Sequence, residues 1–200
     1  MEKLTFQDVL DAREAIRPYV RQTPLEQSFF LGDEEHQFFF KLESLQRARS
    51  FKIRGAVNKM LSLTEEERQR GVGAVSSGNH GSSVAYAAQL LGIERAEIIV
   101  PECTPQSKID KIRYFGGTAK LMGRNYDEAH ALGMEYIHAN GLTNIDSCHD
   151  DVKVYAGQGT VALEILEQQP DIDTIVVPIG GGGIATGVAL AAKSVNPAIR

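Results

Sequence analysis

Ser50-Phe51-Lys52-Ile53-Arg54-Gly55-Ala56 sets a lysine between two apolar residues near the start of a helix-prone run. A lysine in such a place has two uses. It carries its charge out to solvent along an apolar stem, the common case, or its desolvated amine titrates easily and condenses with a carbonyl compound into a Schiff base. The stretch by itself admits both. Two later stretches, Ser76-Ser77-Gly78-Asn79-His80-Gly81 and Gly180-Gly181-Gly182-Gly183, weigh toward the second, because each has the make-up of an anion socket.

The first of these follows the strand-like residues 72–75 and opens a helix. A helix start presents unpaired N–H groups and the positive end of the dipole. Ser76, Ser77 and Asn79 add neutral side-chain donors, and Gly78 lets a ligand approach the backbone. Neutral donors without arginine suit a carboxylate, although an ordinary capped turn explains part of the same pattern. The four glycines 180–183 also lie between a strand-like run and a helix. They sacrifice backbone entropy unless an atom must come close to the main chain, and successive N–H groups there form a nest for phosphate. Neither a P-loop nor a G-x-G-x-x-G fingerprint is present. A Schiff-base lysine, a phosphate nest and a carboxylate socket together point to pyridoxal phosphate and an amino-acid substrate.

Two hundred residues, 42% of them hydrophobic, can bury a substantial core as one large or two small domains. A net charge of −5 argues against nucleic acid or an anionic membrane as partner. No apolar run reaches the roughly 18 residues of a membrane span. Met1-Glu2-Lys3-Leu4 opens without the apolar run of a secretion signal, and Cys103 and Cys148 offer no disulfide framework, so a reducing cytoplasm is the expected location. Cys148-His149-Asp150-Asp151 lacks a second cysteine or histidine at ligand spacing, and no metal site is expected there.

The pattern along the chain predicts helices over 5–20, 51–63, 80–91, 125–140, 159–168 and 184–195, a short helix after Thr64, and another capped by Thr104 with Pro105 in its first position. Strands are expected at 38–42 (buried), 72–75, 96–100, 118–122, 142–145 and 174–178. Regular strand–helix alternation means parallel sheet covered by helices on both faces. Asn196-Pro197-Ala198-Ile199-Arg200 reads as a loop leading onward, so the 200 residues are expected to be part of a longer unit.

Five stretches carry a family resemblance: Lys41-Leu42-Glu43-Ser44-Leu45-Gln46, the Lys52 segment, the Ser76–Gly81 turn, Ala156-Gly157-Gln158-Gly159-Thr160, and Pro178-Ile179 with the four glycines. In this order and spacing the chain resembles the serine/threonine dehydratases and serine racemases, pyridoxal-phosphate enzymes of the tryptophan synthase β-like fold. The resemblance implies an α/β fold of two parallel-sheet, three-layer domains with the large one incomplete. Residues 1–64 and 149–200 would belong to the large cofactor-anchoring domain, and 65–148 to a small mobile substrate domain. It implies that Lys52 holds the cofactor and moves the Cα proton, that Phe51 packs near the cofactor ring, and that Asn79 bonds its phenolic oxygen. Gly180, Gly181, Gly182 and Gly183 would hold the phosphate, while Ser76, Ser77, Gly78, Asn79 and His80 line the substrate carboxylate site. The implied reaction removes the β-hydroxyl of L-threonine or L-serine and yields a 2-oxo acid and ammonia; a homodimer is the family's habit.

Racemisation of serine or 3-hydroxyaspartate is the alternative, because the racemases place an acid/base at the position of Ser77. A cysteine synthase-like β-replacement fits less well, since synthases carry a Thr-Ser-Gly-Asn-Thr-type run where this chain has Ser-Ser-Gly-Asn-His. A truncated chain that binds the cofactor without catalysis is the reading from another class. Three features depart from the family pattern. Arg49 stands where a small residue, commonly glycine, is usual; Ser82-Ser83 follows the second motif; and Asp146–Asp151 replaces a His-Pro-Phe-Asp-like run. Arg49 would alter the loop or add a substrate contact, Ser82-Ser83 bears on substrate preference, and the Asp146–Asp151 run admits a substrate such as 3-hydroxyaspartate or a bulkier β-hydroxy amino acid.

Overall fold

The structure, a computed structural model, describes residues 3–147 and 151–200. Helix α1 (Phe6–Ile16) starts as the sequence predicts: the Thr5 hydroxyl accepts the Asp8 N–H, and the Asp8 carboxylate accepts the Thr5 N–H. It stops at Ile16, short of the expected residue 20, because Pro18 cannot continue it. Strands β1 (Leu25–Gly32) and β2 (Gln37–Lys41) form an antiparallel ribbon. β1 is not legible in the sequence, and β2 is not buried as expected. Among the described residues no further strand joins the ribbon, and Phe38 and Phe40 are about half exposed, at 47% and 50%.

The remaining elements are α2 (Lys52–Leu61), α3 (Glu65–Arg70), β3 (Val72–Val75), α4 (Asn79–Leu90), β4 (Ala96–Val100), α5 (Gln106–Tyr114), β5 (Thr118–Leu121), α6 (Tyr126–Ala139), β6 (Thr143–Asn144), α7 (Val152–Gln168) and α8 (Gly183–Val195). Three expectations are corrected. Thr104 does not cap α5; Pro105 is the N-cap residue, with ψ at 140°, and the Thr104 hydroxyl is buried without a partner. Helix α7 begins at Val152 rather than 159, because the Asp151 carboxylate accepts the N–H groups of Lys153 and Val154. Residues 174–178 form no strand. A ladder needs a neighbouring strand, and the backbone pairing of this run is confined to Arg200, whose carbonyl accepts the Ile175 N–H and whose N–H donates to the Asp173 carbonyl, while Val176 stands 88% exposed.

The one parallel sheet among the described residues has the order β5-β4-β3-β6. Helices α4 and α5 cover one face and α6 the other. The chain steps outward from β3 to β4 to β5, then returns to the far side of β3 as β6. The strand order therefore reverses between β3 and β6, and the crevice at their carboxyl ends is where such a sheet binds ligands. A second core, of Val9, Ala12, Ala156, Val161, Ala162, Val188 and Ala191, joins α1, α7 and α8. Helix α2 lies astride the two. Its Ile53, Ala56, Val57 and Met60 belong to the sheet's core, while it also packs along α7.

Beneath α2 lies a buried ionic cluster. Arg54 is 0% exposed. Its guanidinium donates to both Glu43 oxygens at 2.8 Å and to both Glu164 oxygens at 2.6 and 2.9 Å. Lys41 Nζ approaches Glu164 to 2.6 Å and donates to the Thr23 carbonyl at 2.6 Å. The Thr23 and Thr160 hydroxyls and the Gln46 amide complete the set. Burial pulls Lys41 below the usual lysine range against the pull of Glu164. Burial alone would raise Glu43, but Arg54, Thr23 and Gln46 hold its carboxyl below the usual range. Two cations balance two anions and each is multiply bonded, the condition under which buried ions are tolerated.

Removing one member leaves opposite charge uncompensated in the interior. Arg54→Met is expected to destabilise the fold by about 3–5 kcal/mol, seen as a lower urea midpoint. An unchanged midpoint would show that water reaches Glu43 and Glu164.

Candidate active site

The turn after β3 is built by local bonding. The Ser76 N–H bonds the Ile99 carbonyl, extending the ladder one residue past Val75. The Ser76 hydroxyl then accepts the Gly78 N–H at 3.3 Å, and α4 begins at Asn79. A side chain at Gly81 would run into the Ser76 carbonyl oxygen, so the turn can close on the helix only with glycine there. Ser76 and Ser77 are half-buried, and Gly78 and Asn79 are exposed. These residues stand at the carboxyl end of β3, on the β3–β6 crevice.

His80 sits beneath the turn rather than in its mouth. Its Nε2 lies 2.7 Å from the Ile145 carbonyl oxygen, just past β6. Burial, with the Lys52 charge acting in the same direction, drives its pKa down to about 4. The ring is therefore neutral at physiological pH. Its Nε2 carries the hydrogen donated to Ile145, which leaves Nδ1 as an acceptor, buried and without a partner. His80 thus ties the start of α4 to the segment 145–147 and adds no charge beside the lysine.

Lys52 is the first residue of α2 and half-buried. Its Nζ lies 5.1 Å from the centroid of the Phe51 ring, and its N–H donates to the Ser50 hydroxyl at 3.3 Å. The glycine run reaches segment 145–147 through Gly183. Gly182 takes the left-handed conformation (φ 84°) as N-cap of α8, which no L side chain favours, and open space surrounds the Cβ position at Gly180 and Gly182. A Cβ at Gly183 would lie 3.1 Å from the Ser147 carbonyl oxygen and 3.4 Å from the Tyr155 ring. Segment 145–147 therefore runs between His80, close to Lys52, and Gly183. Of the residues expected at the site, His80 is tied to Ile145 and Gly183 lies against Ser147, while the Ser76–Asn79 turn stands at the carboxyl end of β3.

The donor set fits pyridoxal phosphate. A half-buried amine lies beside an aromatic face, and a glycine-lined helix start leaves room at the main chain for a phosphate. A turn rich in neutral hydroxyl and amide groups is suited to a carboxylate.

The sequence did not identify Lys111 or the ionic cluster. Lys111, on α5, donates from Nζ to Asn79 Oδ1 at 3.4 Å. Arg49, singled out in the sequence only as unusual, is the one non-glycine residue at positive φ among the described residues (φ 65°), which gives a conformational reason for glycine there. Cys148, His149 and Asp150 lie outside the described residues. Among those described, no group of three or more metal-binding side chains gathers, and no helix is long and apolar enough to cross a membrane.

The buried neutral His80 makes stability depend on pH. Its folded pKa of about 4 lies below the ordinary 6.5, so the unfolded chain takes up the proton first. Its contribution is full above about pH 6.5 and is lost as pH falls toward 4, by about 3 kcal/mol. Urea midpoints measured from pH 7 to pH 4 should fall more steeply for the wild type than for His80→Gln; parallel curves would show that His80 titrates normally.

A family model described as "Pyridoxal-phosphate dependent enzyme" matches residues 16–200. The catabolic L-threonine dehydratase of Staphylococcus aureus strain USA300 is 42% identical over 194 residues, covering 96% of this chain and 56% of that protein. Among solved structures, maize serine racemase superposes with a TM-score of 0.93 at 40% identity, over 100% of this chain and 60% of the other. The processed threonine deaminase isoform 2 of Solanum lycopersicum does so with 0.92 at 39% identity, over 99% and 56%. The chain spans just over half the length of the curated relative. The crevice geometry and the family match over nearly the whole chain lead to one conclusion: this chain belongs to the pyridoxal-phosphate dependent enzyme family, with the tryptophan synthase β-like α/β fold.

Proposed function

We propose that the chain carries the amine-bearing and substrate-binding part of a lyase that removes the β-hydroxyl of L-threonine or L-serine to give a 2-oxo acid and ammonia. The observation that supports this reading is that the short segment 145–147 touches the start of α4 through His80 and the glycine loop through Gly183, with the Lys52 charge acting on His80. The likeness to the Staphylococcus aureus L-threonine dehydratase supports the substrate class.

Pyridoxal phosphate, when bound, supplies an aldehyde for an amine and a ring that accepts negative charge from an amino acid's Cα. In this reading Lys52 holds the cofactor through its amine and, once freed, takes the Cα proton. Phe51 packs beside the ring, and Asn79 bonds the phenolic oxygen. The N–H groups of Gly180, Gly181, Gly182 and Gly183 hold the phosphate. Ser76, Ser77 and the backbone at Gly78 orient the substrate carboxylate, while His80 fixes that turn from below.

Residues 65–148 are proposed to move as the substrate domain against 1–64 and 149–200. A homodimer in the cytoplasm belongs to the same reading. Racemisation is the second reading, supported by Ser77, half-buried within the turn, and by the likeness to maize serine racemase.

Adding pyridoxal phosphate to the purified chain should produce a visible absorption band that Lys52→Ala does not give. L-Threonine should then release a 2-oxo acid, at a rate that Lys52→Ala lowers by at least about a thousandfold. A Ser77→Ala variant that keeps elimination but loses D-enantiomer formation would assign the racemase role to Ser77. Absence of both the band and the product would leave a chain that performs no such chemistry.

A further inference from the structure

The mouth of the turn carries more positive charge than a site of neutral donors needs. Lys111 reaches it from α5 and is half-buried, with Nζ 3.4 Å from Asn79 Oδ1. Burial, then the nearby charge of Arg49, holds Lys111 below the usual lysine range. Two other half-buried lysines have close acid partners: Lys41 has Glu164 at 2.6 Å and Lys59 has Asp151 at 2.9 Å. Lys111 has none among the described residues. Its neighbour on α5, Asp110, is engaged by Gln106 at 2.7 Å and faces Arg113 at 4.0 Å. Arg49, likewise without a carboxylate among the described residues, brings a second cation from the loop ahead of α2.

Arg49 holds its place at a conformational cost. A non-glycine residue at φ 65° is strained by on the order of 1 kcal/mol or more, and glycine would remove that strain. Its side chain therefore supplies something glycine does not. Two like charges brought together beside a helix start are stabilised by an anion between them, and a guanidinium with an ammonium suits a carboxylate. The substrate's own α-carboxylate already has the Ser76, Ser77 and Gly78 donors under the proposed function.

We infer that Arg49 and Lys111 form a clamp for a second carboxylate on the substrate, so that the preferred substrate is an acidic β-hydroxy amino acid of the 3-hydroxyaspartate type. This rests on the elimination reading of the same site. In that reaction the Cα–H and Cβ–O bonds break and one water leaves. One water then returns as the C–N bond is hydrolysed. The products are a four-carbon 2-oxo dicarboxylic acid and ammonia, with no oxidant or reductant required.

The test compares kcat/KM for threo- and erythro-3-hydroxyaspartate with that for L-serine, in the wild type, Arg49→Gly, Lys111→Met and Lys111→Arg. The wild type should favour one of the dicarboxylates by tenfold or more. Arg49→Gly and Lys111→Met should each reduce that preference at least tenfold, mainly through KM, whereas Lys111→Arg should retain it. Glycine suits the backbone at 49, and methionine keeps the apolar stem at 111, so neither change threatens folding. A wild type that prefers L-serine, or variants with unchanged preference, would overturn the clamp.

Calorimetric titration with succinate and with propionate provides an arm that needs no turnover. Succinate should bind more tightly than propionate, and Arg49→Gly and Lys111→Met should abolish the difference. Elimination of L-serine without a succinate advantage sinks the clamp alone. A succinate advantage that depends on both cations, in a protein that turns over no amino acid, upholds the clamp and sinks the elimination reading.

Discussion

The fold depends on the ion cluster around Arg54. Residues from three distant parts of the chain meet there: Lys41 and Glu43 before α2, Arg54 within it, and Thr160 and Glu164 on α7. Apolar packing alone would leave the rotation of α2 about its axis loosely defined, because hydrophobic contact is non-directional. A guanidinium gripped by two carboxylates has one satisfactory orientation. Lys52 lies two residues earlier on the same helix, so fixing Arg54 also fixes the direction from which the amine leaves α2. The charged cluster acts on the site through geometry and touches none of the proposed ligand.

Charge is distributed differently in the crevice itself. Buried His80 is neutral and serves as a tie between α4 and the segment after β6. The Ser76–Asn79 turn offers dipoles and hydroxyls. Lys111 and Arg49 bring positive charge to the turn, while the Lys52 and Asp146 charges act on His80 in opposite directions. A neutral His80 adds no second cation beside Lys52, and the charge of Lys111 and Arg49 favours acids near the turn.

Much of this was legible because it is local. Helix starts at Thr5 and Thr64 and the alternation from 72 to 145 are short-range patterns, and all appear in the structure. The glycine and serine motifs were legible as anion sockets because helix starts have a fixed chemistry. The ionic cluster was not: Arg54 and Glu164 are 110 residues apart in sequence, and nothing near either marks the other. The stretches Lys41–Gln46 and Ala156–Thr160 stood out only as family signatures, and their side chains prove to be the cluster's members and supports. Lys111 looked like any surface lysine of α5. The strand expected at 174–178 failed for a related reason: a β-prone run specifies a strand only when a neighbour is there to receive its hydrogen bonds.

The position of α2 has a mechanical consequence. Toward α7 it is held by polar bonds: Arg54 to Glu164, the Asn58 amide to the Lys153 carbonyl at 2.7 Å, and Lys59 to Asp151. Toward α4 it presents apolar side chains of the shared core, Ile53, Ala56 and Val57 among them. Directional bonds resist sliding, whereas a smooth apolar seam permits small shear. Any displacement of one core against the other therefore has its slip plane between α2 and α4. In the proposed movement of residues 65–148, Lys52 would stay on one side of that plane and the Ser76–Asn79 turn would ride on the other, so the distance between them would measure how far the protein has opened.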